Sequence, residues 1–228
     1  MLALKLGFSL GSPRPLGAWQ PSDESSLVAW YKNKTGVFLS GSNVVIWEDS
    51  SGNNHAMTQA TASEQPTYDD ATGDLTFDSS NTQSLQSMVN QISLSGEFVV
   101  GFYAIPTSFN NVIIGDNTTT NEFFKYSNTN RFQIKIDGTL KTFSLDSGSW
   151  ADYKYVVITR DGDDLIRFYV DGTLQSDTET LAGTSDIDAI GVRATDVNPY
   201  DGTLRELQIF SSFSEDLVNN VNSYLTGL

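Results

Sequence analysis

Four Asp-Gly pairs, Asp137-Gly138, Asp161-Gly162, Asp171-Gly172 and Asp201-Gly202, punctuate runs of β-branched and aromatic residues in the second half of the chain. A two-residue hairpin turn needs positive φ at both central residues, and Asp-Gly meets that need at low steric cost. Around the first pair, Phe132, Ile134 and Ile136 alternate with Gln133, Lys135 and Asp137, and the chain returns through Leu140, Thr142 and Ser144. Period-two alternation with one dry face is the pattern of an antiparallel strand pair. The spacing predicts further strands over 44–47, 75–77, 85–89, 97–105, 112–115, 123–127, 140–145, 153–160, 165–170, 187–192 and 203–210. So many strands overfill one open sheet, so two stacked sheets are expected.

Residues 97–105 and 153–160 are apolar on nearly both faces and are expected at the middle of a sandwich. The period then changes. Ser214 is placed to cap a helix, Glu215 and Asp216 sit where the helix dipole favours acids, and Leu217, Val218, Val221, Tyr224 and Leu225 form one apolar stripe. Near the start, residues 22–31 carry a cap-type serine followed by acids, which predicts a short helical turn.

The chain has 228 residues, no cysteine, and 28 acids against 13 lysines and arginines, for a formal net charge of −15. Disulfides and thiolate chemistry are excluded. Such a charge opposes phosphate backbones and anionic lipid, leaving cations and neutral sugars as the better partners, and no apolar run is long enough for a membrane helix. No nucleic acid and no membrane insertion are therefore expected. Residues 1–20 read as an extended arm: Leu2, Leu4, Leu6, Phe8 and Leu10 give it an apolar face, Lys5 and Gly7 break its likeness to a secretory signal, and Gly11, Pro13, Pro15 and Gly17 follow. Residues 21–228 form the globular domain.

Three blocks carry a family resemblance. They are LVAWY at 27–31 with VVIWEDSSGNNHAMTQ at 44–59 and QPTY at 65–68; LTFDSSNTQSL at 75–85; and ITRDGDDLIRFYVDGTL at 158–174 leading to IGV at 190–192 and DGTLRELQIFSSFSEDLVNNVNSYL at 201–225. Together they resemble the laminin G-like, concanavalin A-like lectin superfamily. The fold implied is all-β: a two-sheet antiparallel β-sandwich with jelly-roll topology, an extended N-terminal arm and a short C-terminal helix. The arm, leading through Trp19 into Ala29-Trp30-Tyr31, is similar to the N-termini of virion structural proteins of marine tailed phages, those of cyanobacteria especially.

That likeness implies a non-enzymatic virion surface protein, a capsid decoration or a fibre- or tail-associated subunit. Its arm would anchor it to a phage structural partner and it would be oligomeric on the particle. The alternative is a calcium-assisted glycan-binding module, secreted or on a cell surface. Laminin G-like domains often hold calcium at one rim, and the matching loops here offer Asp116 on one side and Asp196 or Asn198 on the other. The glycan or partner surface is expected at Trp19 and Trp150, which lie in polar contexts, and at Asn117, Asn121 and Tyr200. Glucanases of the superfamily carry Glu-x-Asp-x-x-Glu on one strand. This chain lacks that triplet, Glu206 has no second acid two or four positions away, and His55 is the sole histidine, so no catalytic residue is expected.

Overall fold

The computed structural model describes residues 18–87, 90–194 and 196–228. The anchor expected at Leu2 to Leu10, and nearly all of the arm, lie outside those residues. Within them the strand order resolves into two antiparallel layers. In the first, Gly202–Phe210 pairs on one side with Leu27–Tyr31 and Asp74–Phe77, and on the other with Phe98–Pro106, which is followed by Tyr155–Arg160 and Leu165–Val170. In the second, Val37–Ser40, Asn43–Trp47, Met57–Thr58, Leu85–Gln86 and Ala189–Ile190 lead to Asn111–Gly115, Glu122–Asn128, Arg131–Ile136 and Thr139–Ser144. Thr67–Asp69 joins the layers by pairing with both Asn43 and Asp74–Phe77.

The inner faces meet through aromatic rings. Phe102 reaches Phe124 at 5.0 Å and Phe98 reaches Phe123 at 5.3 Å, both edge-on, while Phe124, Phe132 and Phe143 stack along the second sheet at 4.6 and 4.7 Å. Edge-on and offset geometries suit the ring quadrupoles and fill the gap between layers. Trp150, expected at a partner surface, is instead 1% exposed and stands edge-on to Phe124, Tyr126 and Phe132. Its short helical turn, Trp150–Asp152, folds under the sandwich because Ser149 and Asp152 cap one another, turning the indole inward.

Both strands expected to be apolar on two faces are buried on both, since Phe98, Val100, Phe102, Val156 and Ile158 point inward while Val99 and Val157 lie beneath the helix Glu215–Thr226. Ser214 Oγ accepts from Leu217 N at 3.1 Å, as expected of its cap, and Val218, Val221 and Leu225 complete the dry stripe. Gly101 makes this approach possible: a Cβ there would lie 2.5 Å from Val221 Cγ1.

Two hairpins follow the Asp-Gly rule, with φ of 47° and 78° at Asp137 and Gly138 and 45° and 79° at Asp171 and Gly172. The other two pairs do not. At Asp161 the side chain accepts from Asp163 N and Leu165 N, which widens the loop and moves the positive φ to Asp164. Asp201-Gly202 opens the long strand Gly202–Phe210, with Gly202 at φ 150° where a Cβ would meet Ile105 O at 2.4 Å. Residues 27–31 form a strand and only Pro21–Asp23 is helical, because Leu27 to Tyr31 find ladder partners in Phe210 to Leu207. The strand Val37–Ser40, unforeseen in the sequence, pairs with Asn43–Trp47 through a turn with Gly41 at φ 67°.

One cation ties the loops of the first layer to its core. Arg160 is fully buried and donates to the carbonyls of Gly96, Leu181, Gly183 and Leu94, with its guanidinium 4.8 Å from the Phe98 ring centroid. Asp164 is 3.9 Å away with its side chain 41% exposed, so carbonyl dipoles do most of the neutralising. Arg160→Met is expected to destabilise the fold by about 3 kcal/mol, because four carbonyls would lose their charged donor, whereas Asp164→Asn should cost less than about 1 kcal/mol. Urea unfolding of the two variants checks this; equal losses would contradict the carbonyl assignment.

Candidate functional site

The helix packs on the outer face of the first sheet, whereas the outer face of the second is exposed along Arg131–Ile136 and Thr139–Ser144 and partly covered over Asn111–Gly115 by the loop that carries Arg193 and Asn198. Register fixes what this face presents. Phe132, Ile134 and Ile136 turn inward, so Arg131, Gln133 and Lys135 turn outward, opposite Ser144, Thr142 and Leu140. On the neighbouring strand Lys125 lies opposite Gln133, and Glu122 opposite Lys135. Arg193 enters from the loop that follows Ala189–Ile190. Gly115 admits it, for a Cβ at Gly115 would lie 2.5 Å from Val192 O and 3.1 Å from Arg193 Cβ.

The polar network on this face is specific. Arg193 Nη1 meets Glu122 Oε2 at 2.5 Å and Thr120 O at 2.6 Å, and Arg193 Nη2 donates to Asn198 Oδ1 at 3.1 Å. Lys135 Nζ donates to Thr120 Oγ1 at 2.7 Å, and Gln133 Nε2 donates to Thr142 Oγ1 at 3.3 Å. Lys125 is 9% exposed and has neither a hydrogen bond nor an ion pair among the described residues. Burial pulls its pKa below the usual lysine value; Glu122 offsets this and Arg193 reinforces it. Burial likewise raises the Glu122 carboxyl above its ordinary value, against the pull of Arg193, Lys125 and Lys135. Four cations therefore share one face with one carboxylate, which Arg193 engages.

The residues expected to hold calcium adjoin this face but do not fit a calcium ion. Asp116 is 1% exposed, and both its oxygens accept from its own loop, from Thr118 N and Oγ1 and from Thr119 N and Oγ1. Those bonds hold its carboxyl below the ordinary value against burial. Asn198 Oδ1 is engaged by Arg193, while Asp196 is exposed with φ 63°. Among the described residues no three Asp, Glu, His or Cys converge as a metal would need. A guanidinium stands where a second ligand was expected, which repels a cation.

The expected glycan surface divides. Asn121 lies beside the open face, its Oδ1 accepting from Gly138 N at 3.1 Å. Asn117 belongs to the adjacent loop, where its N–H donates to Asp188 Oδ1 and its Nδ2 to Gln86 Oε1. Tyr200, expected on this surface, is instead fully buried against Phe77 and Tyr126, and its hydroxyl donates to Thr203 O at 3.1 Å. Trp19 is half-buried beneath the helix, 6.2 Å from both Phe210 and Tyr224, with its Nε1 donating to Glu24 Oε1. Sequence reasoning missed Lys125, Arg131, Gln133, Lys135 and Arg193. The signal was there: cationic or amide residues recur at every second position in RFQIK, against the acidic background.

Glu206 is fully enclosed. It accepts from Trp30 Nε1 at 2.5 Å, Asn33 N at 2.6 Å and Gln208 Nε2 at 3.1 Å, so it braces Leu27–Tyr31 against Gly202–Phe210 and presents no oxygen to a substrate. His55 is a loop residue whose Nδ1 lies 3.0 Å from Asn90 O. A cleft of about 250 Å³ is lined by Tyr103, Lys154, Tyr155, Asp171 and Leu225; there Asp171 Oδ1 accepts from Lys154 N and Tyr155 N, and the Tyr155 hydroxyl bonds Thr226.

A two-sheet antiparallel sandwich with a helix packed on one outer face is the architecture that lectin-type and glucanase domains share. The chain belongs to the concanavalin A-like lectin/glucanases superfamily, whose laminin G model matches residues 78–215, well over half of it and including the open face. No curated protein matches it. Among solved structures it is similar to the binding domain of Paraclostridial Mosquitocidal Protein 1, at 14% identity and TM-score 0.56, covering 91% of this chain and 53% of that one. It is also similar to the ligand binding domain of Botulinum neurotoxin serotype D in complex with N-acetylneuraminic acid, at 16% identity and TM-score 0.56, covering 91% and 51%. The binding domain of Botulinum neurotoxin DC in complex with rat synaptotagmin II gives 16% and 0.50, covering 90% and 52%. The chain thus spans about half the length of these structures, and identities this low show the fold alone.

Burial raises the folded pKa of Glu206 above its ordinary value, against the donors from Trp30, Asn33 and Gln208. Its contribution to stability is therefore full below the unfolded value of about 4.3 and is lost as pH rises through the folded value. Glu206→Gln, which cannot ionise, is expected to gain stability relative to the native chain as pH rises from about 4 to about 8. Urea midpoints across that range measure the gain, and a difference independent of pH would refute it.

Proposed function

We propose that this domain binds carbohydrate, without catalysing its cleavage, on the outer face formed by Glu122–Asn128, Arg131–Ile136 and Thr139–Ser144. The observation that carries the reading is Lys125, 9% exposed as a residue, whose ammonium has no hydrogen-bond partner among the described residues and opens onto a face lined with further donors. Sugars offer many hydroxyl acceptors, and convergent Lys, Arg and amide donors are suited to orient them. Leu140, 48% exposed and opposite Lys135, supplies an apolar contact for the C–H face of a sugar ring. Membership of a lectin superfamily supports the same reading, and so does the N-acetylneuraminic acid held by the similar neurotoxin serotype D domain, although fold alone does not fix function.

The particle-anchoring role rests on residues 1–17, which lie outside the described residues, and no observation on the described residues favours it over glycan binding. Action outside the cell, on a virion or a cell surface, belongs to the proposal and not to the findings.

A glycan array probed with the full chain tests the reading. Discrete glycans should be retained, equally with and without a calcium chelator, because the Asp116 and Asn198 oxygens are already engaged. Gln133→Ala should lower the retained signal several-fold, consistent with about 1 kcal/mol for one neutral hydrogen bond. A blank array would overturn the proposal.

A further inference from the structure

The charge on the open face is out of keeping with the chain that carries it. Acids outnumber cations by more than two to one, and Lys141, Arg160, Arg167, Arg193 and Arg205 each lie within 4 Å of a carboxylate. Lys125, Arg131 and Lys135 do not, among the described residues. All three project from the same face of two adjacent strands, Lys125 opposite Gln133 and Arg131 two positions before it. Lys135 has a neutral partner, the Thr120 hydroxyl, and Glu122 is drawn to Arg193 at 2.5 Å, leaving the excess positive charge uncompensated.

Lys125 sharpens the point. An ammonium has three hydrogens to donate, and among the described residues none is accepted, so all three are available to a ligand. A neutral hydroxyl would accept one hydrogen; an anion would also offset the field of three cations. Gln133 Nε2 and the Thr142 hydroxyl lie beside this point and provide neutral contacts of the kind a sugar ring needs.

Resting on the glycan-binding reading above, we infer that the ligand is an acidic carbohydrate, one bearing a carboxylate or sulfate, whose anionic group seats between Lys125 and Lys135 with Arg131 at the margin. The net charge of −15 disfavours such a ligand over much of the surface, whereas this face, where Lys125, Arg131 and Lys135 lie together, favours it.

The experiment titrates the full chain with 3′-sialyllactose, with lactose 3′-sulfate and with lactose, and repeats this for Lys125→Gln and for Lys135→Gln, whose site is only half-buried and safe for folding. Both acidic probes should bind about tenfold or more tightly than lactose. That preference should shrink as salt rises from about 50 to about 500 mM, and each variant should bring the acidic probes towards the affinity of lactose. Equal affinity for lactose and the acidic probes would overturn the acidic-ligand inference while leaving glycan binding in place. An undiminished acidic preference in both variants would overturn the assignment to this face. A poly-glutamate peptide bound as tightly as the sugars would show that any anion suffices and overturn the carbohydrate class. Failure to bind any of the three, together with a blank array, would overturn both this inference and the reading on which it rests.

Discussion

The helix Glu215–Thr226 lies across Phe98–Pro106 and Tyr155–Arg160, and this contact decides which of the two outer faces stays open. Val218, Val221 and Leu225 cover Val99 and Val157, with Gly101 removing the Cβ that would hold them apart. A strand covered on both sides has no polar face to offer. The proposed binding face therefore lies on the second sheet, whose outer side carries Arg131, Gln133 and Lys135 at alternate positions.

Burial of polar groups follows two different logics in this molecule. Arg160 and Glu206 are enclosed with their partners in place, four carbonyls for one and three donors for the other, and both lock strands or loops together. Such satisfied groups act as braces. Lys125 is 9% exposed and its ammonium has no partner among the described residues. The contrast between them lies in hydrogen-bond accounting and not in depth of burial, and on the proposed reading Lys125 is the charge left for a ligand.

Charge balance illustrates why an average misleads. A net charge of −15 makes neutral sugars and cations the natural partners of the chain, yet the acids concentrate in turns such as Asp161 to Asp164 and the caps at Asp78 and Asp116, where they accept backbone N–H groups. Carboxylates used this way leave the sheet face to its cations. The same habit explains the rim loops. Asp116 and Asn198 have the residue types of a calcium site, but turns made of Asx and Thr satisfy their own oxygens first, and Arg193 takes what remains.

The sequence by itself determined the all-β sandwich, the capped C-terminal helix, most strand positions and two true Asp-Gly hairpins, because period-two alternation, cap residues and positive-φ turns are local properties written into neighbouring residues. It also determined that no Glu-x-Asp-x-x-Glu strand is present. Tertiary structure alone decided that 27–31 pairs as a strand and that Asp201-Gly202 opens one, since ladder partners more than a hundred residues away outweigh local preference. It alone turned Trp150 and Tyr200 inward and Trp19 beneath the helix, because a polar neighbourhood in sequence says little about which face a ring will find. It also brought Arg193 beside Lys125 and Lys135. Burial and charge proximity depend on what the rest of the chain places against a residue, and no window of neighbouring residues contains that information.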